Sequence, residues 1–407
     1  MAVISLRRIW DQASSGFWLV PSACVTVSAA AGVGLARLDR GAGNKSPQYL
    51  FPGPPEGARS FLGAIIGAMI SFTGLVFSIT IVVLVLTSGQ FSPRVLRGFL
   101  RDRVIQWSLG LFVSTFVYAM VVDREVLGTH TTGPFVPRIA VTAAFVLVLV
   151  SVGLFIFYID HVANMIRVSS IIANVGRESR TLLERRYPQD PDDPPPMPAL
   201  RPVTTVVDAN KMGVIVSVNT GALVDICREL DVVAELVPRI GDFVPKDGPL
   251  VRVHGDPGDG GHRLLRHISL ANERTTEQDL AFGFRQLVDI AEKALSPGIN
   301  DPTTAVQVID TLHDLLRRLA VRELPPGRFA DSHDDVRLIM PDYRFPDYLD
   351  VAVTEIWHFG KDSTQIPERL QRMLHDLLSA ARPEYRSSIS HWLRRVGGAV
   401  PATVIAS

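Results

Sequence analysis

The chain has 407 residues, of which 47% are hydrophobic, and its 41 basic and 41 acidic side chains give a formal net charge of zero. This length allows about two or three domains, and the balanced charge argues against a nucleic-acid partner. Two cysteines, Cys24 and Cys227, are too few for a disulfide framework. We expect neither a metal site nor a cofactor.

Residues 1–166 are predicted to form a transmembrane domain. Four runs in this region lack charged residues, and each is about as long as the roughly 20 residues that a helix needs to cross a bilayer. No ionisable side chain stands in the middle of a run, which argues against a proton-driven pump. The runs predict four membrane-spanning helices at about residues 17–36, 61–87, 104–122 and 139–159.

The arginines in the short loops predict the orientation of these spans. Arg7 and Arg8 precede the first run, and four more arginines, Arg94, Arg97, Arg101 and Arg103, stand between the second and third runs. Because cytoplasmic loops are enriched in Lys and Arg, both termini are predicted to lie in the cytoplasm. The alternative for the first run is a cleaved signal peptide.

The second span contains two stripes of small or hydroxylated residues. One stripe recurs every three or four residues and comprises Gly63, Gly67, Ser71, Gly74 and Ser78. The other recurs every seven residues and comprises Thr73, Thr80 and Thr87. Such faces let helices approach closely, so one interpretation is packing within the bundle or in a dimer. The other is that the stripes line a polar path where several subunits meet.

Residues 167–202 are predicted to form a helical stalk and a proline-rich linker. Helical spacing of apolar residues continues past the fourth span toward Arg186. Seven prolines then follow between residues 188 and 202. Because proline cannot sustain a helix, this stretch is expected to be an extended spacer and a domain boundary.

Residues 203–270 are predicted to form a small β domain. Short β-like runs alternate with turn signals, and one helix is expected at residues 220–230. The strands are expected at residues 203–207, 213–218, 232–237, 250–253 and 264–270. Residues 241–250 are similar to a turn of biotinyl- and lipoyl-type barrels, which suggests a barrel-like fold. Those carrier domains need a modified lysine in a following hairpin, and none follows here, so no prosthetic group is expected.

Residues 271–325 are predicted to form a helical hairpin. Thr276 is expected to cap its first helix, and Asp301 to cap its second helix, which begins at Pro302. The corner between the helices is a possible ligand or partner site, comprising Pro297, Gly298, Asn300, Asp301, Thr303 and Thr304. The alternative is a structural turn in which Asp301 satisfies the helix amides.

Residues 326–407 are predicted to form an α/β region that packs with the hairpin. One strand is expected at residues 335–340 and three helices after it. The fold class is therefore four transmembrane helices plus a cytoplasmic α+β region.

Several segments together resemble a family of bacterial membrane proteins, the domain of unknown function 2254 family. They are residues 273–279 and 294–305 around the hairpin, residues 6–10, and residues 74–80 and 91–94 near the second span. The resemblance spans nearly the whole chain. It implies a multi-pass protein of the bacterial inner membrane, and it implies no activity.

The sequence contains no motif of a familiar enzyme class. Phosphate-binding, dinucleotide-binding, nucleophile-elbow and His-Glu-x-x-His patterns are absent, so we expect no enzyme, with a membrane-associated enzyme as a third hypothesis. The favoured hypothesis is a homo-oligomeric, channel-like or permeation protein in the lipid bilayer. Its cytoplasmic region would sense a cytosolic protein or a small ligand. The alternative is a non-transporting, membrane-anchored scaffold or signalling protein.

Overall fold

A computed structural model of the chain describes residues 18–42, 50–90, 102–127, 135–165, 167–189 and 194–397, without the side chains of residues 86–90. The chain divides into two compact units, Met1–Arg167 and Val168–Ser407, here called the membrane unit and the soluble unit. Arg7, Arg8, the family-like segments 6–10 and 91–94, and the side chain of Thr87 lie outside the described part.

Among its described residues, the membrane unit contains four long apolar helices. They are α1 (Leu19–Ala42), α2 (Pro55–Gln90), α3 (Arg103–Glu125) and α4 (Arg138–Met165). All four are long and apolar enough to cross a membrane. The prediction of four membrane helices is confirmed. Helix α2 begins at Pro55, earlier than predicted, because proline is well tolerated in the first turn of a helix.

Helix α3 lies at the centre of this bundle. In its most apolar stretch 56% of the residues are buried, against 17–22% in the other three helices. Aromatic rings fill the space beside it, since the ring of Phe72 lies 5.3 Å from that of Phe112 and 4.3 Å from that of Phe155. The interior of a single membrane unit is therefore occupied by side chains.

Two aspartates accept hydrogen bonds from amides at the ends of the membrane helices. Asp39 at the end of α1 is 6% exposed, and its two carboxylate oxygens accept hydrogen bonds from the amides of Ile139 and Ala140 in the first turn of α4 at 3.2 and 3.1 Å. Asp102 caps α3 and lies 3.1 Å from Nε2 of His161. Each carboxylate satisfies amides that have no partner within their own helix.

The soluble unit contains seven α-helices and eight strands among its described residues. The helices are α5 (Val168–Arg186), α6 (Thr220–Glu229), α7 (Leu280–Leu295), α8 (Pro302–Ala320), α9 (Phe345–Gly360), α10 (Gln365–Ala380) and α11 (Arg386–Gly397). The strands are β1 (Val203–Asp208), β2 (Gly213–Val218), β3 (Val233–Leu236), β4 (Phe243–Val244), β5 (Pro249–His254), β6 (Ile268–Ala271), β7 (Arg328–Ala330) and β8 (Val336–Ile339).

The strands form two open sheets. The five-stranded sheet has the order β1-β5-β3-β8-β7, in which only the β3–β8 pair is parallel, and the three-stranded sheet has the order β4-β2-β6. Neither sheet closes within the described residues, so the predicted barrel-like fold is not supported. The reason is that β3 pairs with β8, which comes from the C-terminal region, and the sheet extends outward to β7. The predicted strand at 264–270 is also shorter, because Gly258–His267 forms a 3-10 helix.

Helix α5 is part of the helical layer of the soluble unit. Its apolar face, including Ile172 and Leu183, is buried, and it packs against α7 and α8. At these crossings Gly283 of α7 faces Ser179 so closely that an added Cβ would overlap the Ser179 hydroxyl. The predicted stalk is therefore a helix that packs within the soluble unit.

Candidate functional site

The stripe of glycines and serines in α2 faces away from the other three helices. At about 100° per residue, this stripe covers roughly 80° of the helix surface and is centred about 180° from the buried seam. That seam comprises Leu62, Ile65, Met69, Val76, Thr80 and Val83. Nothing lies within 4 Å of a Cβ added at Gly63, Gly67 or Gly74, and Ser71 and Ser78 are exposed. No part of the described chain packs against this stripe.

Thr73 and Thr80 lie on the packed side of α2. Thr80 is 7% exposed, donates a hydrogen bond to the carbonyl of Val76 at 2.8 Å, and lies 2.6 Å from the hydroxyl of Tyr158. The hydroxyl of Thr73 donates to the carbonyl of Met69 at 2.7 Å. Thr73 and Thr80 therefore lie on the opposite face of α2 from the stripe of glycines and serines.

The predicted corner between α7 and α8 is an exposed turn with a well-formed helix cap. Pro297, Gly298, Asn300 and Thr303 are exposed. The two carboxylate oxygens of Asp301 accept hydrogen bonds from the amide and the hydroxyl of Thr304 at 3.1 and 2.6 Å. The prediction that Asp301 caps this helix is confirmed, and both of its oxygens are used in doing so. Its role in binding a ligand stays a prediction.

We expect Asp301→Ala to lower the free energy of unfolding by about 1 kcal/mol, and Asp301→Asn by less, because asparagine is also a good cap. Hydrogen bonds from Thr304 hold the pKa of Asp301 below its usual range. The stability that the ionised Asp301 cap contributes is thus fully present above the unfolded-state pKa of Asp301. It is lost as the pH falls through the folded-state pKa. Thermal unfolding of the full chain in detergent should show a difference between wild type and Asp301→Ala that shrinks under acid conditions. A difference independent of pH would contradict this assignment.

A polar cluster that the sequence did not predict lies at the start of α7 and α9. We call it the junction cluster, and it comprises Arg186, Tyr187, Arg239, Gly241, Arg274, Gln278, Asp279, Asp342, Tyr343 and Tyr348. Most of these residues line a pocket with room for about one water molecule. The cluster joins four segments that are distant in the sequence.

The end of α5 forms one half of the junction cluster. Arg186 lies 2.9 Å from a carboxylate oxygen of Asp342, and the hydroxyl of Tyr187 donates to the same oxygen at 3.1 Å. Tyr187 and Tyr348 are buried, with their hydroxyls 3.1 Å apart. Burial opposes the charge on Arg186, but Asp342, Tyr187 and Tyr348 together outweigh it and raise the pKa of the guanidinium. Burial also raises the pKa of Tyr348 well above its usual value.

Asp279 forms the other half of the junction cluster. It caps α7 by accepting from the amide of Phe282 at 2.9 Å, and it accepts from Nε of Arg274 at 2.8 Å. The cap predicted at Thr276 is therefore wrong, because α7 begins at Leu280, after the buried Asp279–Arg274 pair. Burial raises the pKa of Asp279 despite this arginine. Gly241, with φ +94°, packs its backbone directly against the pair.

Gln278 connects this half of the cluster to the three-stranded sheet. Its side-chain oxygen accepts from the amide of Val218 at 2.9 Å, and its side-chain nitrogen donates to the carbonyl of Val218 at 3.3 Å. This two-point contact imitates the pairing of a further strand on β2. Segment 273–279, which carried the family resemblance, thus holds the helical layer to the sheet.

Residues 14–376 match the family described as "Predicted membrane protein (DUF2254)". The chain belongs to this family. An uncharacterized protein of Mycobacterium tuberculosis (strain H37Rv) is 32% identical to this DUF2254 chain over 381 residues, which cover 90% of this chain and 73% of the relative. An uncharacterized protein of Mycobacterium bovis has the same identity and coverage. No solved structure matches the chain. The predicted family membership is confirmed.

The geometry of this DUF2254 protein favours a structural role for the junction cluster. Arg186, Arg239 and Arg274 are balanced by Asp342, Asp347 and Asp279 within 4.0 Å. The described part of the chain contains no group of three or more His, Cys, Asp or Glu side chains placed to hold a metal. Of the predicted sites, the stripe on α2 and the corner before α8 face outward in the described part of the chain.

Proposed function

We propose that this DUF2254 protein is a homo-oligomeric, channel-like protein of the bacterial inner membrane. Helix α2 of each copy faces its neighbours, both termini lie in the cytoplasm, and the soluble unit senses a ligand or a partner. The observation that carries this proposal is the outward-facing stripe on α2, where glycines and serines stand on a surface that no part of the described chain covers.

A path through one copy is disfavoured by the packing of its bundle. The rings of Phe72, Phe112 and Phe155 fill the seam, and the hydroxyl of Thr80 is already bonded to the carbonyl of Val76. A solute that crosses the protein would therefore pass between copies rather than through one of them. This inference supports assembly as the first requirement of the proposed activity.

The chemistry of the stripe fits contact between copies. Gly63, Gly67 and Gly74 expose backbone and let a second helix approach closely, which is how small residues promote helix association in lipid. The exposed hydroxyls of Ser71 and Ser78 and the backbone carbonyls around them supply polar groups of the kind that line a path. Large apolar side chains that face lipid, such as Ile70 and Phe77, flank the stripe.

The test compares two glycine substitutions in the purified full chain reconstituted into liposomes. Gly74→Leu places a bulky side chain on the stripe, whereas Gly153→Leu places it on α4, at an exposed glycine that also has nothing within 4 Å of an added Cβ. We expect ion or dye flux through wild type and Gly153→Leu, and at least a tenfold loss in Gly74→Leu. Equal flux through both variants, or no flux through an assembled wild type, would contradict the proposal.

Assembly is measured separately from flux. In a chain with Cys24 and Cys227 replaced by alanine, Ser78→Cys should form a disulfide between copies, and adding Gly74→Leu should suppress it. A monomer that does not crosslink would remove the basis of the proposal.

A non-transporting scaffold or signalling protein is the second candidate. The observation that favours it is that the hydroxyls of the half-buried Thr73 and the buried Thr80 bond to carbonyls of their own helix, which leaves the stripe with the hydroxyls of Ser71 and Ser78. It predicts crosslinking through Ser78→Cys without flux, and capture of a cytosolic partner that Gly74→Leu leaves unchanged.

A further inference from the structure

Both ring nitrogens of His254 face atoms that can only accept a hydrogen bond. Its side chain is 8% exposed, with Nδ1 2.9 Å from the carbonyl oxygen of Arg201 and Nε2 3.1 Å from a carboxylate oxygen of Glu235. A neutral imidazole carries one N–H, whereas the imidazolium carries two. Both contacts are hydrogen bonds only when His254 is protonated.

His313 in the same unit has the opposite arrangement. Its Nε2 lies 2.8 Å from a carboxylate oxygen of Asp376, but its Nδ1 lies 3.0 Å from a guanidinium nitrogen of Arg369, which can only donate. A neutral ring satisfies both contacts of His313. The requirement for a second proton at His254 is therefore not shared by His313.

The carboxylate of Glu235 contacts both the imidazole of His254 and the guanidinium of one arginine. Glu235 on β3 also receives a guanidinium nitrogen of Arg252, on β5, at 3.4 Å. The guanidinium of Arg201, which precedes β1, is bound to Asp231 at 2.7 Å, and Arg337 on β8 binds the same carboxylate at 3.1 Å. Among the described residues, Glu235 supplies the carboxylate that contacts His254.

The position of His254 links its protonation to how firmly the start of β1 is bound to the sheet. Arg201 lies at the end of the proline-rich segment, two residues before β1 begins. The carbonyl of the next residue, Pro202, accepts a hydrogen bond from the amide of Gly255 at 3.3 Å. We propose that His254 is a proton-dependent latch that fastens the end of this segment to the five-stranded sheet. When the ring loses a proton, the remaining N–H stays on Nε2, because the carboxylate of Glu235 is a stronger acceptor than a carbonyl. The bond from Nδ1 to the carbonyl of Arg201 is then lost, and the start of β1 loosens. This latch does not depend on whether the protein conducts.

Hydrogen exchange of the full chain in detergent tests the latch. The measurement is the protection factor of peptides covering Val203–Asp208 between about pH 5 and pH 8, where histidine side chains ordinarily change charge, with the intrinsic pH dependence of exchange removed. In wild type, protection should fall about tenfold as the pH rises, because a hydrogen bond to a charged group is lost.

Two variants separate the latch from a general loss of stability. His254→Gln cannot be protonated, so protection should stay low at every pH. Glu235→Gln brings an amide N–H that can donate to the neutral ring, so both contacts of His254 persist and protection should stay high at every pH. The control is His262→Gln at an exposed histidine, which should keep the wild-type response.

Two results would overturn the latch. One is wild-type protection that is constant across this range of pH, since the geometry requires a change when the ring loses its proton. The other is a Glu235→Gln protein that still loses protection as the pH rises, because its glutamine supplies the missing donor. The second result would stand even if His254→Gln failed to fold.

Discussion

Gly241→Ala should lower the melting temperature of the soluble unit by about 10 °C, which corresponds to a loss of about 4 kcal/mol. Gly241 has φ +94°, a conformation that residues with a Cβ rarely adopt. An added Cβ would overlap a carboxylate oxygen of Asp279 and lie 2.8 Å from a guanidinium nitrogen of Arg274. The substitution therefore disrupts a buried ion pair and the cap of α7 together.

Gly298→Ala is the matched control for this prediction. Gly298 is exposed, its φ is not in the left-handed region, and nothing lies within 4 Å of an added Cβ. We expect its stability to remain within about 0.5 kcal/mol of wild type. Thermal unfolding of both variants in the same detergent, followed by far-ultraviolet circular dichroism, makes the comparison. Similar melting temperatures for the two variants would show that the backbone at Gly241 is not constrained by Asp279.

The membrane helices were predictable because the bilayer imposes both a length and an apolar composition on each span. The face that each helix buries was not predictable in the same way. In α2 both the large residues such as Met69 and the small ones such as Gly67 are compatible with lipid, so the sequence supports packing on either side. The structure resolves the ambiguity, because the large residues interlock with α3 while Gly67 remains uncovered.

Local signals predicted the elements of the soluble unit better than their partners. The Asp301-Pro302 pair fixed the start of α8, because a cap and a first-turn proline act within a few residues. The pairing of β3 with β8 depends on contacts between residues about 100 positions apart, such as Ala234 and Leu338. Such pairing leaves no local pattern, so the sequence suggested a closed β domain where the sheet is open.

The junction cluster shows the same limit at the level of a site. Residues 241–250 are similar to a turn of carrier-domain barrels, and residues 273–279 carry part of the family resemblance. Nothing in the sequence indicated that Gly241 would contact Asp279. The competition between Thr276 and Asp279 for the cap of α7 was also decided by tertiary structure. Asp279 is buried against Arg274, whereas both residues are acceptable caps by type.

Asp342→Ala should destabilise the soluble unit by about 3 kcal/mol, because it leaves the guanidinium of Arg186 partly buried without its carboxylate. Arg186 and Asp342 are 24% and 17% exposed in their side chains, so solvent cannot fully replace the lost partner. Asp342→Asn should cost less, since its amide oxygen still accepts from the hydroxyl of Tyr187. Thermal unfolding measures the loss, and hydrogen exchange of the first turn of α9 should report it locally.

A double variant distinguishes an unpaired charge from a simple loss of contacts. Arg186→Met removes the buried guanidinium but keeps much of its apolar stem, so Arg186→Met with Asp342→Ala should be more stable than Asp342→Ala alone. If the two substitutions add instead, the cost of Asp342→Ala lies in its bond with Tyr187, and Tyr187→Phe should then reproduce it. Recovery in the double variant would instead identify the Arg186–Asp342 ion pair as the contact that ties the end of α5 to the start of α9.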